Sequence, residues 1–216
     1  MEEQEPLEAV LEKKVKPVVE GLTTKFLGVN IHKISEDITT KLNKSTIENI
    51  PIDTHLPYKE AKKKFKHDYL EKVLRLKLGN ISEAAKSTDT TRRSIHRLIQ
   101  DLDIDVKKIK KELVKPYEIK KMDVSTVIEH VLENYKEIIH PKKLEEMYKN
   151  VAVLSDDILK NLPEMPITLK EAEHEFEKEY LKRVLAEHHG NISATARKIG
   201  LRYETLHRKI KALSLS

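Results

Sequence analysis

Cations and hydroxyls crowd two short stretches of this 216-residue chain. One holds Thr91, Arg92, Arg93 and Ser94 with His96 and Arg97; the other holds Arg202 and Tyr203 with Thr205, His207, Arg208, Lys209 and Lys211. Guanidinium and ammonium groups donate hydrogen bonds, accept none and stay charged at neutral pH. Their chemistry is to hold acceptor-rich, anionic surfaces rather than to make or break bonds. The scattered acidic residues elsewhere read as helix surface. No Ser/His/Asp set or H-E-x-x-H pair occurs, and the five glycines, at 21, 28, 79, 190 and 200, form no G-x-x-x-x-G-K-[ST] loop. Without cysteine there are no disulfides, iron–sulfur clusters or thiolate zinc sites. His188 and His189 are adjacent, so on a helix they point in different directions and make a poor metal pair. No enzyme, cofactor, metal or small-molecule substrate is expected.

Cations on a helix are ordinarily just its solvated face. Repetition sets these apart. KEAKKKFKHDYLEKVLRLKLGNISEAAKSTDTTRRSIHRLIQDL begins at Lys59, and KEAEHEFEKEYLKRVLAEHHGNISATARKIGLRYETLHRKIKAL begins at Lys170. The two align without a gap at an offset of 111 residues with 17 identities, and His96 and His207 share a slot. Each cationic stretch therefore ends one copy of a small structural unit.

The elements that must position these side chains read as helices, and no stretch shows strand alternation. Leu7, Val10, Leu11, Val15, Val18, Val19, Leu22 and Phe26 form a helical stripe that Pro17 should kink or split. Ile34, Ile38 and Leu42 suggest a short second helix, and Ile50 to Pro57 reads as a connector. A long helix begins near Pro57, carries Ala61, Phe65, Tyr69, Leu70, Val73 and Leu74, and stops at Gly79. The second half follows the same plan. Val124, Val127, Ile128, Val131, Leu132, Tyr135 and Ile139 mark one helix; Pro141 opens another with Leu144, Met147 and Tyr148; Ser155 is placed to cap a short one. Pro163 and Pro166 mark a connector, and Thr168 with Glu171 reads as a capping box. A long helix follows through Ala172, Phe176, Tyr180, Leu181, Val184 and Leu185 to Gly190.

After each long helix comes Gly-Asn-Ile-Ser. Gly79 and Gly190 suit the left-handed residue past a helix end, and Asn80 and Asn191 suit N-caps. The helices that follow are short, Ile81 to about Ser87 and Ile192 to about Ile199, with small Ala85 and Ala196 inside them. A tight turn comes next, Gly200-Leu201 in the second copy and Asp89-Thr90 in the first. A third helix then runs to Leu102 or Leu213, with Ile95, Leu98, Ile99 and Leu102, or Leu206, Ile210 and Leu213, facing inward. Each copy thus reads as a helix-turn-helix.

FEKEYLKRVLAEHHGNISATARKIGLRYETLHRKIKAL resembles the C-terminal DNA-binding region of Fis-family proteins and of NtrC-type transcriptional regulators. That pattern is a Tyr-Leu/Ile-bearing helix, Gly-Asn-x-Ser/Thr-x-Ala-Ala, Leu-Gly-Ile, then Arg-x-Thr-Leu-x-Arg-Lys-Leu-Lys. The first copy fits through GNISEAAK and departs where KIGL becomes STDT. The resemblance implies that the third helix enters a major groove. It makes Arg202, Tyr203, Thr205 and Arg208 reading and phosphate-contact candidates, with Lys209 and Lys211 near the backbone. The matching residues of the first copy are Thr91, Arg92, Ser94 and Arg97, with Arg93 an added base. His96 and His207 would donate to phosphate or pack at the helix edge. Arginine pairs bidentately with guanine O6 and N7, while Thr and Ser serve phosphate or base.

The expected fold is all-α: two homologous halves, each ending in a Fis-like helix-turn-helix, arranged as a pseudo-twofold bundle. Residues 1–104 form one half with its helix-turn-helix at 57–104, residues 105–120 a basic linker or connecting helix, and residues 121–216 the second half with its helix-turn-helix at 168–216. The apolar helices near 7–27 and 124–139 are expected to join the long helices in one central bundle. The partner implied is double-stranded DNA, bound by an intramolecular pseudo-dimer or by a homodimer with four reading heads. An ATP-driven activator is not expected of this chain alone, since no P-loop exists. The rival reading is a protein-interaction adaptor built from degenerate modules, favoured by the STDT turn and by a net charge of only +5. RNA is a weaker third, given few aromatics for stacking. No apolar run reaches membrane-span length and the acidic start is unlike a signal peptide, so no membrane partner and a cytoplasmic, nucleoid-associated protein are expected.

Overall fold

The computed structural model describes residues 11–27, 32–48, 50–112, 115–162 and 168–215. A π-helical segment, Leu11–Val15, runs into α1 (Lys16–Leu27). Then come α2 (His32–Glu48), α3 (Tyr58–Leu76), α4 (Ile81–Ser87), α5 (Arg92–Asp101), α6 (Val106–Lys111), α7 (Pro116–Asn134), α8 (Pro141–Asn161), α9 (Leu169–Glu187), α10 (Ile192–Ile199) and α11 (Tyr203–Ala212). The described residues are all-α, with no strand. None of the described helices is long and apolar enough to cross a membrane. Leu7, Val10, Pro163, Pro166 and the side chains of Leu22 and Phe26 lie outside the described residues.

The chain forms two compact units, and each takes segments from both sequence halves. The first unit comprises residues 1–49 and 114–166. In it α1, α2, α7 and α8 close a ring of neighbours, the arrangement of a four-helix bundle. Its core joins Leu11, Val15 and Val19 to Ile34, Ile38 and Leu42, and to the stripe from Val124 through Ile158. The expected merger of the apolar helices with the long helices is therefore overturned. They bury their stripes against α2 and α8 instead. The expected kink or split at Pro17 falls where the helical run changes type, from the π-helical Leu11–Val15 to α1, whose second residue is Pro17. Ser155 caps nothing. It lies buried inside the 21-residue α8, its hydroxyl donating to the Val151 carbonyl (2.8 Å) and paired with the Ser125 hydroxyl (2.8 Å). The helix at Ile34 is long, at 17 residues.

The second unit comprises residues 50–113 and 167–216, so it contains both segments that read in sequence as helix-turn-helices. In the basic stretch after α5, α6 packs on α3 with Ile109 buried, and Pro116 opens α7 at its first position. Long helices α3 and α9 pack together at the centre. Equivalent residues meet there. Phe65 stacks on Phe176 with ring centroids 4.6 Å apart, and these occupy one slot of the repeat. Tyr69 and Tyr180 are buried beside them, as expected of core residues. Burial pushes the Tyr180 hydroxyl up to about 12, and it donates to the Leu56 carbonyl (2.7 Å). The Leu169 N–H donates to the Thr88 carbonyl (3.2 Å), a backbone link between the start of α9 and the end of α4.

Candidate nucleic-acid interface

Local sequence fixes where the helices leading to α5 and α11 start. Gly79 and Gly190 adopt left-handed φ values of 73° and 77°, and their N–H groups donate to Leu74 and Leu185 carbonyls. Asn80 then caps α4, accepting from the Ser82 and Glu83 N–H groups, while Asn191 caps α10, accepting from the Ala194 N–H. Ala85 and Ala196 are buried, which lets neighbouring helices close in.

The turn is the decisive element. Gly200 is left-handed (φ 69°), and so is Asp89 in the first copy (φ 51°). The next residue donates back in both, Leu201 to Ala196 and Thr90 to Ala85, each at 3.0 Å. Asp therefore supplies the backbone geometry that STDT seemed to lack, at the modest cost Asp bears in this region. Thr88 consolidates it, its hydroxyl donating to the Ala84 carbonyl (2.8 Å) and pairing with the Thr90 hydroxyl (2.6 Å).

Beyond the turns, α5 is anchored by buried Ile95 and Leu102, and α11 by buried Leu206, Ile210 and Leu213. Leu98, Ile99 and Leu201 are half-buried. Those anchors leave Arg92, Arg93, His96 and Arg97 exposed on α5, and Arg202, Tyr203, His207, Arg208 and Lys211 exposed on or before α11. Thr205 and Ser94 are half-buried. Tyr203 and His207 stack one turn apart, ring centroids 6.0 Å. Thr91 is exposed but serves as the α5 N-cap, accepting from the Ser94 N–H (3.1 Å) and pairing with the Ser94 hydroxyl (2.9 Å).

Lys209 departs from the expected backbone contact. Its ammonium meets Glu177 Oε2 at 2.7 Å and lies 5.2 Å from the Tyr58 ring centroid, so it ties α11 to the long-helix pair. Burial acts to raise the Glu177 carboxyl, yet Lys209 and Lys62 hold it at about 2. No sequence signal pointed to Glu177, which is 32 residues away on another helix.

Charge pairing divides the arginines into two groups. The chain has eight arginines. Arg75 and Arg183, on the long helices, are paired: Arg75 with Glu71 (2.8 Å) and Glu112, Arg183 with Glu179 (2.7 Å). The other six, Arg92, Arg93, Arg97, Arg197, Arg202 and Arg208, all lie in the helix-turn-helices and are exposed; among the described residues no carboxylate pairs with them.

A short helix, a left-handed turn and a second helix seated by two or three apolar anchors with its cations outward have the geometry of a helix-turn-helix. Residues 174–213, from within α9 to the end of α11, match the family described as bacterial regulatory protein, Fis family, and form a Fis-like helix-turn-helix domain. That family is one of DNA-binding regulatory domains rather than of enzymes. No curated protein and no solved structure matches the chain.

Proposed function

We propose that the protein binds double-stranded DNA with two recognition helices, α5 and α11, carried as an intramolecular pair, and acts as a transcriptional regulator or a DNA-bending architectural factor. The observation that carries this reading is the set of six unpaired, exposed arginines confined to the two helix-turn-helices. Leaving cations without carboxylates keeps them available for phosphates and guanine edges, and releasing counterions from DNA then supplies much of the affinity. Arg202 and Arg92 open the two helices and are the base-reading candidates; Arg97, Arg208 and Lys211 lie further along and suit phosphates. Because the two heads differ in sequence, the preferred site is not a perfect palindrome. The adaptor reading rested on the STDT turn and on the modest net charge; the left-handed Asp89 weakens the first ground and leaves the second.

The test is fluorescence anisotropy on selected and random duplexes. Arg202→Ala and Arg92→Ala should each narrow the gap between the two by about 1–3 kcal/mol. Unchanged preference in both variants would remove the base-reading role. Failure of the native chain to bind any duplex in low salt would favour the adaptor.

A further inference from the structure

The contact between α3 and α9 is symmetric in its apolar part and antisymmetric in its charge. Phe65 and Phe176 are equivalent, and a pair of like repeats would stack them equally well. The flanking positions are equivalent too, Lys62 to Glu173 and Lys66 to Glu177, but they carry opposite signs. They meet directly: Lys62 Nζ lies 2.9 Å from Glu173 and 2.7 Å from Glu177, and Lys66 Nζ lies 2.7 Å from Glu173. All four side chains are mostly shielded, at 17–26% exposure, so water screens them weakly.

We propose that these four residues form a charge code by which each repeat accepts the other and rejects a copy of itself. Two first repeats would gather four ammonium groups around the phenylalanine stack, and two second repeats four carboxylates. The first arrangement has no counter-charge among these positions, and in the second only the Lys209 beside each Glu177 offsets part of the repulsion. The apolar stack supplies attraction without discrimination, and the charges supply discrimination, because like charges at close range disfavour the wrong pair. The partner that fits the Lys62/Lys66 face is therefore the Glu173/Glu177 face, within one chain or exchanged between two chains. Either way each pair presents one α5 head and one α11 head, never two alike. The inference goes beyond the DNA-binding reading and does not depend on it.

The test uses the full chain and hydrogen exchange in α3 and α9, with no DNA present. The variant K62E/K66E makes both faces acidic. It should lose about 100-fold in amide protection across these helices, the scale of breaking a buried ion pair, and added salt should restore part of the loss. The reversed chain K62E/K66E/E173K/E177K/K209E, with Lys209 included because it also meets Glu177, should recover most of the protection. Native protection in K62E/K66E would overturn the proposal. So would a reversed chain as unprotected as K62E/K66E, since the positions would then demand particular side chains rather than opposite signs. Loss of DNA binding with this pattern intact would count only against the proposed function.

Discussion

Replacing Glu177 by glutamine keeps its shape and removes its charge. The native carboxyl is shifted from an ordinary value of 4.5 to about 2, against a burial effect that pushes it upward. At about 1.36 kcal/mol per unit, the ionised form contributes about 3 kcal/mol to folding. A carboxyl depressed in the folded state contributes above its unfolded value and ceases to contribute as pH falls through its folded value. The window is therefore between about pH 4.5 and 2. Urea denaturation of the native and Glu177→Gln chains should show a gap of about 3 kcal/mol at pH 7 that halves near pH 3.3 and closes near pH 2. Taking the difference cancels the other carboxylates that titrate in both chains. A gap that ignores pH, or one below about 1 kcal/mol at neutrality, would refute the claim that Lys209 and Lys62 hold Glu177 ionised at this contact.

Asp89→Gly should stabilise the first helix-turn-helix by up to about 1 kcal/mol, and Gly200→Ala should cost about the same, both read by thermal melting. At Gly200 the nearest atom to an added Cβ is 3.9 Å away, so that cost comes from φ and not from crowding. Phe176→Ala removes one half of the central stack and should cost about 3–5 kcal/mol. On DNA, log Kobs should fall linearly with log salt, and Arg97→Ala or Arg208→Ala should each shallow the slope by about 1 if that side chain neutralises one phosphate.

Local features were legible because they are written in neighbouring residues. Asn80 and Asn191, the glycines at 79, 190 and 200, and the Thr168–Glu171 capping box each declare a cap or turn within three or four positions, and each stands where expected. Partner choice was not legible. The stripe through Val124 and Ile128 names a buried face but not the face it meets, so its docking against α2 and α8 was missed. Ser155 looked like a cap because hydroxyls favour helix starts, whereas its partner, Ser125, lies on another helix. Lys209 looked like one more exposed cation for the same reason: the carboxylate that claims it comes from α9. Leu78 and His189 also adopt positive φ just before the glycines, a conformation that their side chains do not advertise.

The interleaving of the two units sets an order on synthesis. Phe65 leaves the ribosome 111 residues ahead of Phe176, an interval of about 5–20 s at ordinary elongation rates. Throughout it the first helix-turn-helix displays a bare aromatic and lysine face whose mate has not been made, and α1 and α2 wait in the same way for α7 and α8. A nascent-chain chaperone or a slow codon run placed before α9 would act on that interval, and the growing chain is most exposed to wrong association while only its first half exists.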